Sequence, residues 1–484
     1  MKSVCLGRIV IGFLKIIRDK AEKRLFAQYT KTAEDGNFSK NMMVLLKTGT
    51  RKDENGNSLN ACLEKGTEFN RNASKTFDTI PAICNWCYCT ADIRKAFLQI
   101  SLCIRDRDFL KFLWWKDSNK TEIIIYRHCR VVFGISSSPL LLGATISYHL
   151  DNAPQDLRGT ALRLKKSFYV DNCIASFETE EKVVKFKEES QTLMSSGGFD
   201  LRRWTSAPFK DRSMTSYQKV IPILGLSWDT ENDEIYCNLN PLTFSESAHT
   251  KRSLLSVSQR IFDPIGFTSP TTLIPKLILQ KIWKMKLSWD ENLPQSIERE
   301  FQAWLSRLHF LNYCKISRRL VIGPFDDCSI SLHCCSDASK VSYAACIFLR
   351  AYFEGKTSVQ LVLCKSRVAP AKEVTIPRLE LLGALIATRL YRQVTDVLKL
   401  TKCQVYLWSD SSEVPTWIKK DSHWNVLVTN HVAEIRRCTN PDDWHYVPNS
   451  SNLADLSSRG CDAKMLLQSR WWKWPDWLKK EPDK

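Results

Sequence analysis

Phe168-Tyr169-Val170-Asp171-Asn172 is an apolar run that ends abruptly in a carboxylate and an amide. An acid placed at the end of a hydrophobic strand points to a metal-holding hairpin. Asp92, in Thr90-Ala91-Asp92-Ile93, has a second such setting. Two-metal phosphoryl transfer needs several carboxylates around two divalent cations roughly 3.5–4 Å apart, which activate the attacking oxygen and stabilise the leaving one. Mg2+ keeps several waters and takes one or two carboxylates together with substrate phosphate oxygens. Asp92 and Asp171 suit that chemistry, and Phe97, five residues after Asp92, offers a rigid aromatic under an incoming sugar. The plainer reading of either acid alone is a helix cap or a surface ion pair.

The rest of the chain sets the frame for that site. At 484 residues it holds two to four domains, each with enough apolar content for a core. The hydrophobic fraction of 44% and charged fraction of 25% are those of a soluble globular protein. A net charge of +18 favours a polyanionic partner such as nucleic acid or an anionic surface. No apolar run approaches the roughly 20 residues that span a bilayer. Residues 4–16 are interrupted by Arg8 and Lys15 and lack a small-residue cleavage site, so they read as an amphipathic helix rather than a signal peptide. Eighteen cysteines without a signal peptide imply reduced thiols and an intracellular setting, cytoplasmic or nuclear. Cys84, Cys87 and Cys89 have metal-like spacing, but no second Cys/His pair follows at finger distance, and strand thiols are the preferred reading.

Residues 1–57 pass from basic helix-like sequence into a polar linker, and globular texture begins at Ser58. Residues 109–115 and 122–126 read as a hairpin. Phe133-Gly134-Ile135-Ser136-Ser137-Ser138-Pro139 reads as a loop opening a helix to about Leu150. A helix over 178–195 is closed by Gly197-Gly198, a C-cap signal. From 250 to 311 the pattern is mostly helical, basic, and broken at Asp263-Pro264 and Ser269-Pro270. A new α/β unit follows, with strands over 329–335, 342–352, 358–367, 404–408 and 444–447. Helices over 377–398 and 426–437 complete it; Leu382, Ile386, Leu390, Val394 and Val397 mark one apolar face of the first.

Four acids of this unit fall at element ends: Asp337 closes the first strand, Glu380 lies early in the long helix, Asp410 closes the fourth strand and Asp455 opens a late helix. A lone Ser-Asp-Ser is usually a turn or cap. Four acids at consistent element ends can converge on one edge of a mixed sheet and form a second two-metal site.

From about Ser58 to Leu478 the ordered motifs resemble the reverse transcriptase–ribonuclease H portion of the pol polyprotein of BEL/Pao long-terminal-repeat retrotransposons. Ala91-Asp92-Ile93 through Ile100 resembles the first polymerase block, the 133–139 loop with Leu142-Gly143-Ala144-Thr145-Ile146 the template- and nucleotide-facing block, and Tyr169-Val170-Asp171-Asn172 the second catalytic block. Gly197-Gly198-Phe199, Leu201-Arg202-Arg203-Trp204 and Leu224-Gly225-Leu226-Ser227-Trp228 resemble the last palm blocks and primer grip. Ile261-Phe262-Asp263-Pro264-Ile265-Gly266-Phe267-Thr268-Ser269-Pro270 resembles the family's thumb and connection. Ser336-Asp337-Ala338-Ser339, Arg378-Leu379-Glu380-Leu381, Trp408-Ser409-Asp410-Ser411 and Asn452 through Gly460 resemble its ribonuclease H blocks, and Trp471-Trp472 with Trp477-Leu478 its border before the integrase.

The resemblance implies an α/β and α+β multidomain chain. Its segments would be an unmatched N-terminal segment (1–57), reverse transcriptase fingers and palm (58–240), a helical thumb and connection (241–325), a ribonuclease H-like mixed-sheet domain (326–462) and a Trp-rich border (463–484). Asp92 and Asp171, with Asn172 beside them, would form the polymerase centre, and Phe97, Gly134 and Arg203 would face the nucleotide. Asp337, Glu380, Asp410 and Asp455 would hold the nuclease metals. Each centre would take two Mg2+ or Mn2+. RNA template, DNA primer, RNA–DNA hybrid and deoxynucleotides would be the partners, held by phosphate contacts and shape rather than by sequence.

The chain departs from this pattern at Asn172, where the family has aspartate. Arg203 stands where lysine is commoner, and arginine is a poor proton donor. Pro415 falls in the helix after Asp410, tolerable only in its first turn, and Trp474 replaces a glycine. Integrase, zinc-knuckle and Asp-Thr-Gly or Asp-Ser-Gly protease signals are absent from the sequence. It therefore reads as a worn pol fragment or a shortened gene derived from one. Loss of the Asn172 charge beside divalent cations is expected to reduce primer extension strongly relative to an Asn172→Asp chain, as an extension assay on a primed template would measure.

Overall fold

The computed structural model describes residues 87–135, 137–207, 220–223, 225–239, 249–400, 403–420, 422, 424–472 and 476–479. The expectations for residues 1–57, Cys84, Ser136, Leu224 and Trp474 lie outside them. The chain divides into two compact units, the first holding residues 89–175 and 181–205 and the second the rest of the described chain.

In the first unit, β1 (Cys87–Ile93) is followed by a two-stranded antiparallel ribbon of β2 (Lys111–Trp115) and β3 (Ile123–Arg127), which is the expected hairpin. Helix α1 (Ser138–Asp151) and α2 (Arg158–Ser167) lead into β4 (Phe168–Tyr169) and β5 (Asn172–Phe177). Helix α3 (Glu180–Ser196) turns its Val183, Phe186, Leu193 and Met194 inward. It ends as its two glycines predict: Gly198 takes φ +81°, the Phe199 amide donates to the Met194 carbonyl at 3.0 Å, and the Gly198 amide to Ser195 at 2.9 Å. Those two bonds satisfy carbonyls that the helix end would otherwise strand. With β6 (Leu201–Ala207) the strands form a sheet of order β4-β5-β1-β6.

The second unit opens with an antiparallel sheet, β10-β9-β8-β7, made from β7 (Val220–Ile223), β8 (Leu226–Asp229), β9 (Glu234–Cys237) and β10 (Ile316–Ser317). Between β9 and β10 run α4 (Lys251–Arg260), α5 (Ser269–Lys284) and α6 (Gln295–Ser306). Pro275 lies inside α5 and has no N–H for the Thr271 carbonyl one turn earlier. The indole N–H of Trp304, from α6, donates to that carbonyl at 3.0 Å, so the proline gap becomes an interhelix bond.

The break before α5 is a clamp. The buried Asp263 carboxylate accepts from the Gly266 amide, the Thr268 amide and the Thr268 hydroxyl, each at 2.6 Å. Gly266 takes φ +88°, and a Cβ there would lie 2.0 Å from the Cys364 carbonyl oxygen. The Cys364 amide donates to Ile265 at 2.7 Å, and Gln280 of α5 donates to the Ala369 carbonyl at 2.6 Å. These bonds cross the border expected between residues 325 and 326.

They reach a five-stranded mixed sheet of order β13-β12-β11-β14-β15. Strands β11 (Ser329–Ala338), β12 (Ser342–Phe353) and β13 (Lys356–Val368) are antiparallel, whereas β14 (Gln404–Ser409) and β15 (Trp444–Tyr446) lie parallel to β11. Helix α7 (Ile376–Leu398) packs on β11 and β12 so closely that a Cβ on Gly383 would meet the Asp337 carbonyl at 3.1 Å. Of the expected stripe, Ile386, Leu390 and Val394 are buried while Leu382 and Val397 are only half-buried, and the buried face also takes in Glu380, Leu381, Ala384, Leu385 and Ala387. Helix α8 (Glu413–Lys419) carries Pro415 in its first turn, where proline is tolerated. Helices α9 (Val426–Cys438), α10 (Asp455–Arg459), α11 (Ala463–Gln468) and α12 (Asp476–Lys479) complete the unit.

The clamp gives a stability test. Gly266→Ala combines a disfavoured φ with a backbone clash, and we expect a loss of about 3 kcal/mol or more by urea denaturation.

Candidate functional site

The acids singled out in the sequence fall into two clusters among the described residues, one in each unit. In the first, Val170 and Asp171 form the two-residue turn between β4 and β5, whose register pairs Phe168 with Cys173 and Tyr169 with Asn172. Val170, a β-branched residue, is held at φ +56°. The Ile93 amide donates to the Asp171 carbonyl at 2.9 Å, which brings the turn beside the end of β1 and hence beside Asp92. Burial holds the Asp171 carboxyl above its ordinary range, and the Asp92 charge adds to the shift. The exposed Asn172 turns its amide onto the Asp171 carboxylate at 3.2 Å. On the other side, Arg202 Nε stands 3.6 Å from Asp92 Oδ1 and Arg203 Nη1 stands 3.5 Å from Asp92 Oδ2. Asp92, Asp171, Asn172 and Arg203 are thus together.

Phe97 is buried in a single 3-10 turn, with its ring edge-on to Phe133 at 4.8 Å. Gly134 follows that Phe133 with φ +84°, and a Cβ there would meet no atom within 4 Å, so backbone conformation rather than crowding asks for glycine.

In the second unit the geometry is tighter. The parallel register pairs Ser336 of β11 with Ser409 of β14, so the next residues, Asp337 and Asp410, sit side by side at the strand ends. Helix α7 delivers Glu380 from its second turn. One oxygen from each of Asp337, Glu380 and Asp410 lies within 4.8 Å of the others, the single such grouping of metal-ligating side chains among the described residues. Burial, reinforced by the neighbouring charges of Asp337 and Asp410, pushes Glu380 up to about 9. Burial is also the main reason the Asp337 carboxyl is raised well above its ordinary range, with Asp410 and Asp455 contributing. Glu380 Oε2 and Asp410 Oδ1 are buried without a hydrogen-bond partner. Three converging carboxylates with orphaned oxygens fit a divalent cation, which would supply the missing counter-charge.

Asp455 stands outside this trio, close enough to raise Asp337, with its carboxylate held by Arg459 Nε at 2.5 Å. The motif it belongs to has a second task. Ser458 donates from its hydroxyl to Asp337 Oδ2, and the Asn452 amide donates to the Ser336 carbonyl at 2.9 Å. Ser339 and Ser342 both donate to the Ser458 carbonyl, and Ser366 to that of Ser457 at 2.7 Å. Asn452, Ser457, Ser458 and Arg459 were legible as parts of a motif, but only the passage of α10 against β11, β12 and β13 gives them work. Cys87 and Cys89 are buried in β1, as the strand-thiol reading expects.

Residues 250–411 match the family model described as the Pao retrotransposon-like RNaseH-like domain, a span that contains Asp337, Glu380 and Asp410. No curated protein matches the chain. Among solved structures it is similar to foamy viral protease-reverse transcriptase in complex with RNA/DNA hybrid, at 14% identity over 77% of this chain and 45% of that one, with a TM-score of 0.48. It is also similar to the dRH form of that protein with double-stranded DNA (14% identity, 76% and 58% coverage, TM-score 0.47) and to the protein with double-stranded DNA (14%, 76% and 69%, 0.44). The chain spans under half the length of the first of these, 45%. Over residues 250–411 the BEL/Pao resemblance read from the motifs is borne out by this match.

Proposed function

We propose that the chain is a retroelement reverse transcriptase–ribonuclease H segment whose working chemistry is hydrolysis of the RNA strand of RNA–DNA hybrids. The observation that carries this reading is the buried trio Asp337, Glu380 and Asp410, with two oxygens left unpaired inside the matched span. Bound Mg2+ or Mn2+ would activate the attacking water and stabilise the leaving oxygen. The chain's own groups prepare that site: Ser458 fixes one oxygen of Asp337, and α7 pins Glu380 beside it. Asp455, steadied by Arg459, is the fourth acid at the rim.

In this reading residues 58–240 are fingers and palm, with Asp92 and Asp171 as the old polymerase acids, Asn172 as the impaired position, and Phe97, Gly134 and Arg203 toward the nucleotide. Residues 241–325 are thumb and connection, 326–462 the nuclease and 463–484 a border. Template RNA, primer DNA, their hybrid and deoxynucleotides are the ligands. The net charge of +18 supports phosphate-backbone binding. Among the described residues no helix is long and apolar enough to cross a membrane. A nuclease without polymerase activity is the second reading, favoured by the intact trio beside the Asn172 substitution; a silent nucleic-acid-binding relic is the third.

Two measurements test the site. Asp410→Asn should lower Mg2+-dependent hybrid cleavage by at least about a hundredfold; cleavage that persists in this variant rejects the assignment, and no cleavage by the parent leaves the relic. The second follows from linkage. A carboxyl raised in the folded state binds protons that the unfolded chain has released. Stability in chelator should therefore fall as pH rises from about 4.5 toward 9. Glu380→Gln should raise the melting temperature in chelator by a few degrees at pH 8 and by less at pH 5. Saturating Mg2+ should stabilise the parent and close the gap.

A further inference from the structure

We infer that Arg202 and Arg203 stand in for divalent cations at Asp92, so that the first unit engages nucleic acid as a metal-free surface. The inference rests on the proposed polymerase descent of that unit and adds what its site now does.

The donor set does not fit a pair of divalent cations. It holds two carboxylates, an amide and two guanidinium groups. Successive residues of a regular strand point to opposite faces. Arg202 and Arg203 are successive, yet both reach one carboxylate, at 3.6 and 3.5 Å. The break in alternation comes from Arg203, held at φ +54°, a left-handed conformation disfavoured for a non-glycine residue. The strained backbone thus aims a second guanidinium at Asp92.

Asn172 completes the compensation. Its amide nitrogen sits 3.2 Å from Asp171 Oδ1, where an aspartate would place a second anion in contact. Metal-free repulsion is removed on that side, and the two guanidinium charges balance the two carboxylates. Adding two divalent cations would set like charges against Arg202 and Arg203 within a few ångströms. The Arg203 side chain is 74% exposed, so donors not turned to Asp92 remain open to a phosphate oxygen. A planar guanidinium suits that contact.

The test uses the full chain. Mn2+ titration followed by electron paramagnetic resonance should give the same stoichiometry for the parent and for Asp92→Asn. Binding of a primed duplex should have the same affinity in EDTA as in Mg2+. Arg203→Glu should weaken it about tenfold and lower the salt slope by about one or more. Loss of bound Mn2+ in Asp92→Asn, duplex binding that needs Mg2+, or indifference to Arg203→Glu would overturn the inference. Circular dichroism melts establish that each variant is folded; should Asp92→Asn fail to fold, Asp171→Asn replaces it in the titration. Absence of Mn2+ from the parent, or its loss in Glu380→Gln, bears on the nuclease trio alone and leaves this inference standing.

Discussion

Three carboxylates held within 4.8 Å of one another in a buried place are the constraint on which the second unit turns. Nothing in a metal-free chain favours that approach, since like charges in a low-dielectric site repel strongly. The fold must impose it. The parallel pairing of β11 with β14 sets two acids abreast, and Gly383 allows α7 to lie almost on the Asp337 carbonyl, bringing Glu380 onto them. Segment 452–460 then closes the edge with serine hydroxyls and an asparagine amide, groups that can be buried because each finds a partner.

The two acidic clusters solve their charge problem in opposite ways. In the second unit the acids keep orphaned oxygens and raised proton affinity, so neutrality has to come from protons or from a cation. In the first unit Asp92 Oδ1 is likewise buried without a hydrogen-bond partner, but two guanidinium groups stand within ion-pair distance of that carboxylate and an amide sits against Asp171. A site that is comfortable without metal gives up the field that would organise a triphosphate. A site that is uncomfortable without metal retains its reason to bind one. The two clusters differ in internal charge balance more than in the count of acids.

Much of the fold was legible because it rests on periodicity. The α7 stripe, the ribbon of β2 and β3 and the five strands of the mixed sheet follow from spacing, and Gly197-Gly198 forms the helix cap its residues announce. What could not be read depends on partners far apart in sequence. Asp263 reads as a turn breaker, but its three bonds and the contact of Gly266 with Cys364 appear only when β13 is in place. Pro275 leaves the Thr271 carbonyl without its helical donor, and its compensation by Trp304 needs the neighbouring helix. Arg203 reads as a poor proton donor where lysine is commoner, and its left-handed backbone is invisible in composition.

The matched span of 250–411 begins well ahead of the sheet that holds the acids, and the clamp around Asp263 ties its first part to that sheet. The segment before α5 is bonded to β13 through Ile265 and Cys364, α5 itself reaches the residue just past that strand through Gln280 and Ala369, and the Trp471 indole N–H donates to the Phe267 carbonyl at 2.8 Å. Cys461, just after α10, donates its amide to Pro270 at 3.1 Å, while Gly460 fits against Ile274 and Leu273. The start of α5 therefore supports the same segment that places Ser458 on Asp337. A helix that reads as part of a separate thumb is, in packing terms, a buttress of the sheet edge that holds the trio.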